Sequence, residues 1–248
     1  MSLKQITSPQ NPLFTELKKL LSSKGIHKQG RFLVFGEKFV NETLRDFSSS
    51  VESLVLSPGM TQQKSLPSLE LSKELFAELD VFGTNSPILV CRVPAIATMQ
   101  FHKPDGLELL IAISDPSNLG TIIRSSISFG VRKMILLKES ASPFHPKAVR
   151  ASAGNILKIQ YELGPSIQSL DAEILKHSLA LDLNGENLAG FTWPQHSFLL
   201  LGEEGRGIPQ DLNVRKIEIP TNQEVESLNA ATAVSIAMYS RYIQINKK

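Results

Sequence analysis

Residues 107–137, LELLIAISDPSNLGTIIRSSISFGVRKMILL, decide the fold. The first eight, 107–114, form a nearly unbroken apolar run, the pattern of a strand covered on both faces. The polar turn DPSNLG follows at 115–120. From Thr121 to Phe129 apolar residues recur at helical spacing and Gly130 closes the segment, after which KMILL at 133–137 reads as a second strand. Strand, helix and strand in this order make a βαβ unit, whose two strands run parallel.

The same alternation continues toward the C-terminus. ILKIQYEL (156–163), SLALDL (178–183), FLLLG (198–202) and KIEIP (216–220) are strand candidates, and helical stretches fall near 146–153, 166–176 and 224–243. The expectation is an α/β domain built mainly on a parallel sheet, with no internal repeat. Toward the N-terminus, PLFTELKKLLS (12–22) places Leu13, Leu17, Leu20 and Leu21 on one helical face, with Lys18 and Lys19 on its edge or outer face. FLVF (32–35) reads as a strand before Gly36, a helix follows near 37–46, and strands lie at 53–56 and 86–93. Residues 57–68 are a Ser/Pro/Gln-rich loop. The boundary falls in PAIATMQFHKPDG (94–106), which lacks periodicity and carries two prolines and a glycine. This gives a small α/β domain over 1–95, a linker over 96–106 and the larger domain over 107–248.

With 42% hydrophobic and 20% charged residues in a chain of 248, collagen-like and low-complexity architectures are excluded. The single cysteine, Cys91, cannot make an intramolecular disulfide, and with five scattered histidines it gives no zinc-site spacing, so no metal is expected. The opening SLKQITSPQN has no apolar signal core, and no apolar run reaches the roughly 18 residues needed to span a bilayer. A cytoplasmic protein without a membrane partner is expected. The net charge of +2 hides an asymmetry: through Arg31 there are six basic residues and one acidic, net +5, which leaves −3 for the rest. A charge run by itself is more often a solvated helix face than a polyanion-binding arm.

In open α/β sheets ligands bind outside the carboxyl ends of strands. Three loops in that position are unusually polar: DPSNLG, GEEGRG (202–207) and PTNQEVESLN (220–229). Neither the dinucleotide fingerprint nor the P-loop is present, which argues against ordinary Rossmann cofactors and ATP. The two carboxylates of GEEGRG would repel a phosphate and suit a neutral or cationic ligand. Taken singly, each polar residue has a bland role. Asn118 is a helix cap, Glu203 and Glu204 are loop charges, and Ser227 and Asn229 are caps of the last helix. Arg124, between Ile122, Ile123 and Ile127, is expected to be partly buried and to need a partner. Their joint placement at strand ends points to one site.

Three strings, DPSNLGTIIRSSISFG, LLLGEEGRGIP and IEIPTNQEVESLNAATAVSIA, in this order, resemble the three signature motifs of the SpoU-type (TrmH-like) RNA 2′-O-ribose methyltransferases of the SPOUT superfamily. The match spans 109 to about 242, and HPKAVRASAGNILKI (145–159) resembles the segment between the first two motifs. ITSPQNPLFTELKKLLSSKGIHKQGRFLVFGEKFVNETL (6–44) resembles the opening of the family's accessory RNA-binding domain, a small α/β module related to certain ribosomal proteins. Departures are Phe35 where Glu is common, Thr221 where Met is usual, and Glu203 where a small residue often stands.

The resemblance implies S-adenosylmethionine as cofactor, held in a C-terminal trefoil knot by the backbone of Gly202, Ile219 and Leu228. It implies Asn118, Arg124, Glu204, Ser227 and Asn229 as the catalytic set, with Glu204 orienting Arg124 and the others holding the reactive geometry. It makes RNA the partner, ribosomal in preference to transfer, and DNA not. Lys18, Lys19, Lys28 and Arg31 are the RNA-binding candidates, and a homodimer completes the cleft. Since arginine is effectively never deprotonated, Arg124 suits oxyanion stabilisation better than proton abstraction. Rival readings are a transfer-RNA ribose methyltransferase, a base methyltransferase, and an idle RNA-binding protein with the same fold.

Overall fold

The computed structural model describes residues 3–63, 65–203, 205–222 and 228–246. In chain order the first elements are β1 (Lys4–Ile6), α1 (Pro12–Lys19), α2 (Ser23–Gln29), β2 (Arg31–Val34), α3 (Glu37–Asp46), β3 (Val51–Leu56), β4 (Ser68–Leu71), α4 (Lys73–Leu79) and β5 (Ile88–Arg92). Then follow β6 (Ala97–Thr98), β7 (Leu107–Ile111), α5 (Pro116–Ser128), β8 (Lys133–Leu136), α6 (Pro146–Ala151), β9 (Gln160–Leu163), α7 (Ala172–Lys176), β10 (Ser178–Asn187), β11 (Ser197–Leu201), β12 (Arg215–Glu218) and α8 (Ala230–Ile245). They group into two compact units: residues through Ala95 together with Ser142–Gly154, and Ile96–Ala141 together with Asn155–Lys248.

The first unit is a five-stranded sheet in the order β1-β4-β3-β5-β2, with β5 antiparallel to both neighbours. Its core gathers Phe14, Leu17 and Leu20 around α1, Leu33 and Val90 from the sheet, and Leu75, Phe76 and Leu79 from α4. The heptad-like spacing of α1's leucines explains why that helix lies on the sheet and leaves Lys18 and Lys19 outward. The segment Ser142–Gly154 belongs to this unit, whereas the sequence division puts it in the second. Its Phe144 is 1% exposed, with its ring 5.1 Å from that of Phe32, and Arg150 lies 4.5 Å over the Phe82 ring.

The second unit is a seven-stranded sheet in the order β12-β10-β11-β7-β8-β9-β6, with every described pairing parallel. The expected α/β class with a mainly parallel sheet is what the chain forms. From β7 the strands step outward through β8 to β9, then return to build β10, β11 and β12 on the other side. The order reverses between β7 and β11, which opens a crevice at their carboxyl ends. Buried side chains on both faces, such as Leu109, Leu110, Ile135, Leu199 and Leu200, account for the unbroken apolar runs.

Several boundaries differ from expectation for identifiable reasons. DPSNLG is the start of α5: Asp115 caps it, its Oδ1 accepting from Asn118 N at 2.7 Å, and Pro116 takes the first helical position, where its missing N–H costs nothing. In 156–163 only Gln160–Leu163 is strand, because Asn155–Lys158 turns as a 3-10 helix. The stretch expected to be a linker contributes β6, which pairs with β9. β10 runs past the expected Leu183 to Asn187 with a register shift between Leu181 and Glu186. No helix among the described residues is long and apolar enough to cross a membrane.

Candidate functional site

A cavity of about 470 Å³ opens at the carboxyl ends of β7, β10, β11 and β12. The three polar loops meet there. Asn118 comes from the first, with Ile113 just before it; Gly202, Glu203, Gly205 and Gly207 come from the second; Thr221, Leu228 and Asn229 come from the third, with Ile219 just before it. Leu181, Asp182 and Leu183 of β10 add one wall, and Ala230, Ala233 and Val234 of α8 another. The wall is mainly apolar with few polar groups, the usual make-up of a small-molecule site.

The glycines of GEEGRG serve the loop's own closure. The loop returns on itself through a bridge between Glu203 and Gly207, with Gly207 N donating to Glu203 O at 2.8 Å. A Cβ on Gly202 would lie 2.3 Å from the Gly207 carbonyl, so no side chain fits between strand end and returning loop. Glycine is needed at 202, and the surface it exposes to the cavity is main chain.

The polar centre of the site is a pair. Asn229 caps α8, its Oδ1 accepting from Ala231 N at 3.0 Å and Thr232 N at 3.3 Å. Its Nδ2 donates to Asn118 Oδ1 at 3.0 Å, joining the first turn of α5 to the start of α8. The two helices pack beyond this point through Ser125 and Ser235, whose hydroxyls lie 2.7 Å apart, and through Ser126 against Met238.

The expectation for Arg124 needs correction. It is exposed, on the solvent stripe of α5 with Ser117, Thr121 and Ser128, and no described residue pairs with its guanidinium. Neighbours one or two positions away on a helix point elsewhere, so the isoleucines beside it bury themselves without burying it. Arg124 is not among the described residues that line the cavity. Glu204 and Ser227 lie outside the described residues.

The RNA-binding candidates all belong to the first unit. Lys18, Lys19 and Lys28 are exposed and Arg31 is half-buried. Lys18 pairs with Glu78 at 2.7 Å and Arg31 with Glu52 at 2.8 Å, so Lys19 and Lys28 present the less compensated charge. Cys91 is buried in β5, and burial pushes its thiol up to about 12, which removes it as a thiolate nucleophile at neutral pH. No three His, Cys, Asp or Glu side chains converge on a metal-sized point among the described residues.

Sequence reasoning passed over Asp182. It ends the apolar run SLAL, and a carboxylate at the carboxyl end of a parallel strand was the available signal.

Comparison with known proteins places this arrangement. The model of the SpoU rRNA Methylase family matches residues 109–239, which hold all three loops. A Syntrophobacter fumaroxidans protein named ribosomal RNA small subunit methyltransferase G 2 is 40% identical over 245 residues, covering 96% of this chain and 49% of the relative, so the chain spans about half of that protein's length. The Bacillus subtilis 23S rRNA (guanosine(2553)-2'-O)-methyltransferase RlmP is 29% identical, with 96% of this chain and 98% of the relative covered. The crystal structure of an AdoMet-bound rRNA methyltransferase from Sinorhizobium meliloti shares the fold, with a TM-score of 0.79 at 21% identity and 98% of both chains covered. The ordered loops, the sheet that brings them together and the family match lead to one conclusion: the chain belongs to the SpoU rRNA methylase family.

Proposed function

We propose that the protein is an S-adenosylmethionine-dependent RNA methyltransferase that modifies the 2′-hydroxyl of a ribose, with ribosomal RNA as substrate. The observation that carries the reading is the Asn118–Asn229 pair at the rim of a cavity walled by the three motif loops. The residues present suit the cofactor. Gly202 and Ile219 offer main chain at strand ends, Leu228 offers it just before α8, and Ile113, Leu181, Leu201 and Val234 offer apolar contact. When bound, S-adenosylmethionine supplies an electrophilic methyl group on a sulfonium.

The chain's own residues have the remaining tasks. A ribose hydroxyl is a weak nucleophile: as its oxygen accepts the methyl group its proton leaves to solvent, and the charge that develops on the oxygen must be stabilised. Arg124 is assigned this role together with orientation of the neighbouring phosphate, because its charge is permanent and its fork matches phosphate geometry. Asn118 and Asn229 hydrogen-bond the sugar and fix its approach. By family resemblance Glu204 orients Arg124, and Ser227 lines the pocket.

The same reading assigns the trefoil knot to the C-terminal region and RNA capture to the first unit, through Lys18, Lys19, Lys28 and Arg31. It also assigns a homodimer. α8 carries a single charged residue, Arg241, and Ile236, Tyr239, Tyr242, Ile243 and Ile245 remain 38–52% exposed on it. Arg124 is not among the described residues that line the cavity it serves, so a second copy seated on α8 both covers the apolar face and closes the site. Incubation with methyl-labelled cofactor and total RNA, followed by mapping of the label, tests the function. Label on a ribose 2′-oxygen of ribosomal RNA is expected. Label on a base, on transfer RNA, or no transfer would overturn it.

A further inference from the structure

The bulge of β10 places a carboxylate in the cavity that the resemblance does not assign. Between Leu181 and Glu186 the register with β12 shifts, and Asp182, Leu183, Asn184 and Gly185 bow out of the ladder. Bulges of this kind re-aim side chains next to sites. This one is held at both ends. Gly185 presses so closely on β12 that a Cβ there would sit 2.6 Å from the Ile217 backbone, and its N–H donates to Glu218 Oε2 at 3.2 Å. On the far side Glu186 and Arg215 form a two-pronged pair at 2.5 and 2.8 Å.

Asp182 is thereby fixed with its side chain only 20% exposed, lining the cavity beside Gly207. Its Oδ2 is 2.7 Å from Lys216 Nζ, and its Oδ1 accepts from Leu183 N at 2.9 Å. Lys216 already balances the charge, so the carboxylate holds no uncompensated charge for a cation. What it retains is acceptor capacity: a carboxylate has about four acceptor sites, and only two are in use. One remaining site on each oxygen matches a pair of neighbouring hydroxyl donors.

Resting on the cofactor reading above, the geometry assigns Asp182 as the side chain that binds the ribose diol of the cofactor's adenosine, with Lys216 as the positioning residue that holds the carboxylate in place. Acidic side chains read ribose hydroxyls in other open α/β folds by the same chemistry.

The test is calorimetric titration of the full-length protein with S-adenosylhomocysteine and with its 2′,3′-dideoxy analogue. Wild-type protein is expected to bind the dideoxy analogue about ten- to a hundredfold more weakly, the range for losing hydrogen bonds to a charged group. Asp182→Ala is expected to lose that discrimination and bind both ligands with the weaker affinity. Asp182→Asn keeps the side chain's shape, guards against a folding defect, and is expected to retain only part of the discrimination. Equal binding of the two ligands by wild type, or undiminished discrimination in both variants, would overturn the assignment to Asp182. Equal weakening of both ligands in Asp182→Asn with discrimination intact would do the same, since it marks a contact to another part of the ligand. Failure of wild type to bind S-adenosylhomocysteine at all would instead overturn the cofactor reading.

Discussion

Asn229 spans 111 residues of sequence to donate its side-chain amide to Asn118 at 3.0 Å, while its own carbonyl oxygen caps α8. One side chain thus terminates a helix and sets the orientation of a second amide at the cavity rim. Asn118 carries no capping duty of its own, because Asp115 caps α5.

This asymmetry predicts different phenotypes for two similar substitutions. Asn229→Ala removes both cap and pair and is expected to destabilise the fold by about 1 kcal/mol as well as depress methyl transfer. Asn118→Ala is expected to depress transfer at a smaller stability cost. Chemical denaturation beside a transfer assay separates the two, and equal stability losses would show that the cap does not distinguish them.

Arg124→Ala is expected to leave stability within about 0.5 kcal/mol of wild type, since the side chain is exposed and no described residue pairs with it. Transfer is expected to fall roughly a hundred- to a thousandfold, the typical cost of removing one oxyanion donor. Arg124→Lys is not expected to restore it, because a point charge does not reproduce a planar fork. Near-normal turnover in Arg124→Ala would remove the residue from the mechanism.

The second unit carries a titrating imidazole, His102, against Glu108, a side chain 4% exposed. His102 places Nε2 2.8 Å from Glu108 Oε2 and Nδ1 3.1 Å from Gln100 O, so both ring nitrogens face acceptors. Lys133 Nζ lies 3.0 Å from Nε2 and 2.8 Å from Glu162. Burial and the Lys133 charge oppose protonation, but the hydrogen bonds to Glu108 and Gln100, with the Glu108 charge, outweigh them and raise the His102 value. The stabilisation from the charged ring is fully present below the unfolded value of about 6.5 and is lost as pH rises through the higher folded value. Denaturation of wild type and His102→Gln from pH 5 to 9 is expected to show the largest gap at the acid end. A gap that widens with rising pH would contradict the pairing.

Phe144 fills the first unit from a segment far down the chain. Phe144→Ala is expected to cost about 3–5 kcal/mol, the usual range for emptying a buried phenylalanine site. A fragment ending at Ala95 is expected to melt without a cooperative transition, and a longer one carrying Ser142–Gly154 to regain it. Cooperative melting of the short fragment would show that Phe32 needs no cover from Phe144.

The longer elements were legible in kind and order: the β7–α5–β8 unit and α3 are present, though α5 begins at Pro116, inside the stretch expected to be a turn. β1, β4 and β6, of two to four residues, are too short for a period-two pattern to register, and their pairing is decided by neighbours distant in sequence. The burial of Arg124 was misjudged because adjacency along a helix is not adjacency on its face. Asp115 as the cap was readable from the following proline, a preferred first helical residue. Asp182 was signalled only by its place after an apolar strand run, where a carboxylate has the same one-letter signature as a loop charge. Only the bulge and Lys216 distinguish it.

The excursion of Ser142–Gly154 into the first unit also bears on how the chain is made. Synthesis ordinarily lets an N-terminal domain complete itself before the next emerges. Here the first unit lacks Phe144 and α6 until residue 154 has left the ribosome, by which time β7, α5 and β8 have already emerged. Completion of the first unit is therefore delayed until part of the second has emerged, and through that interval the Phe32 site waits without Phe144 to cover it.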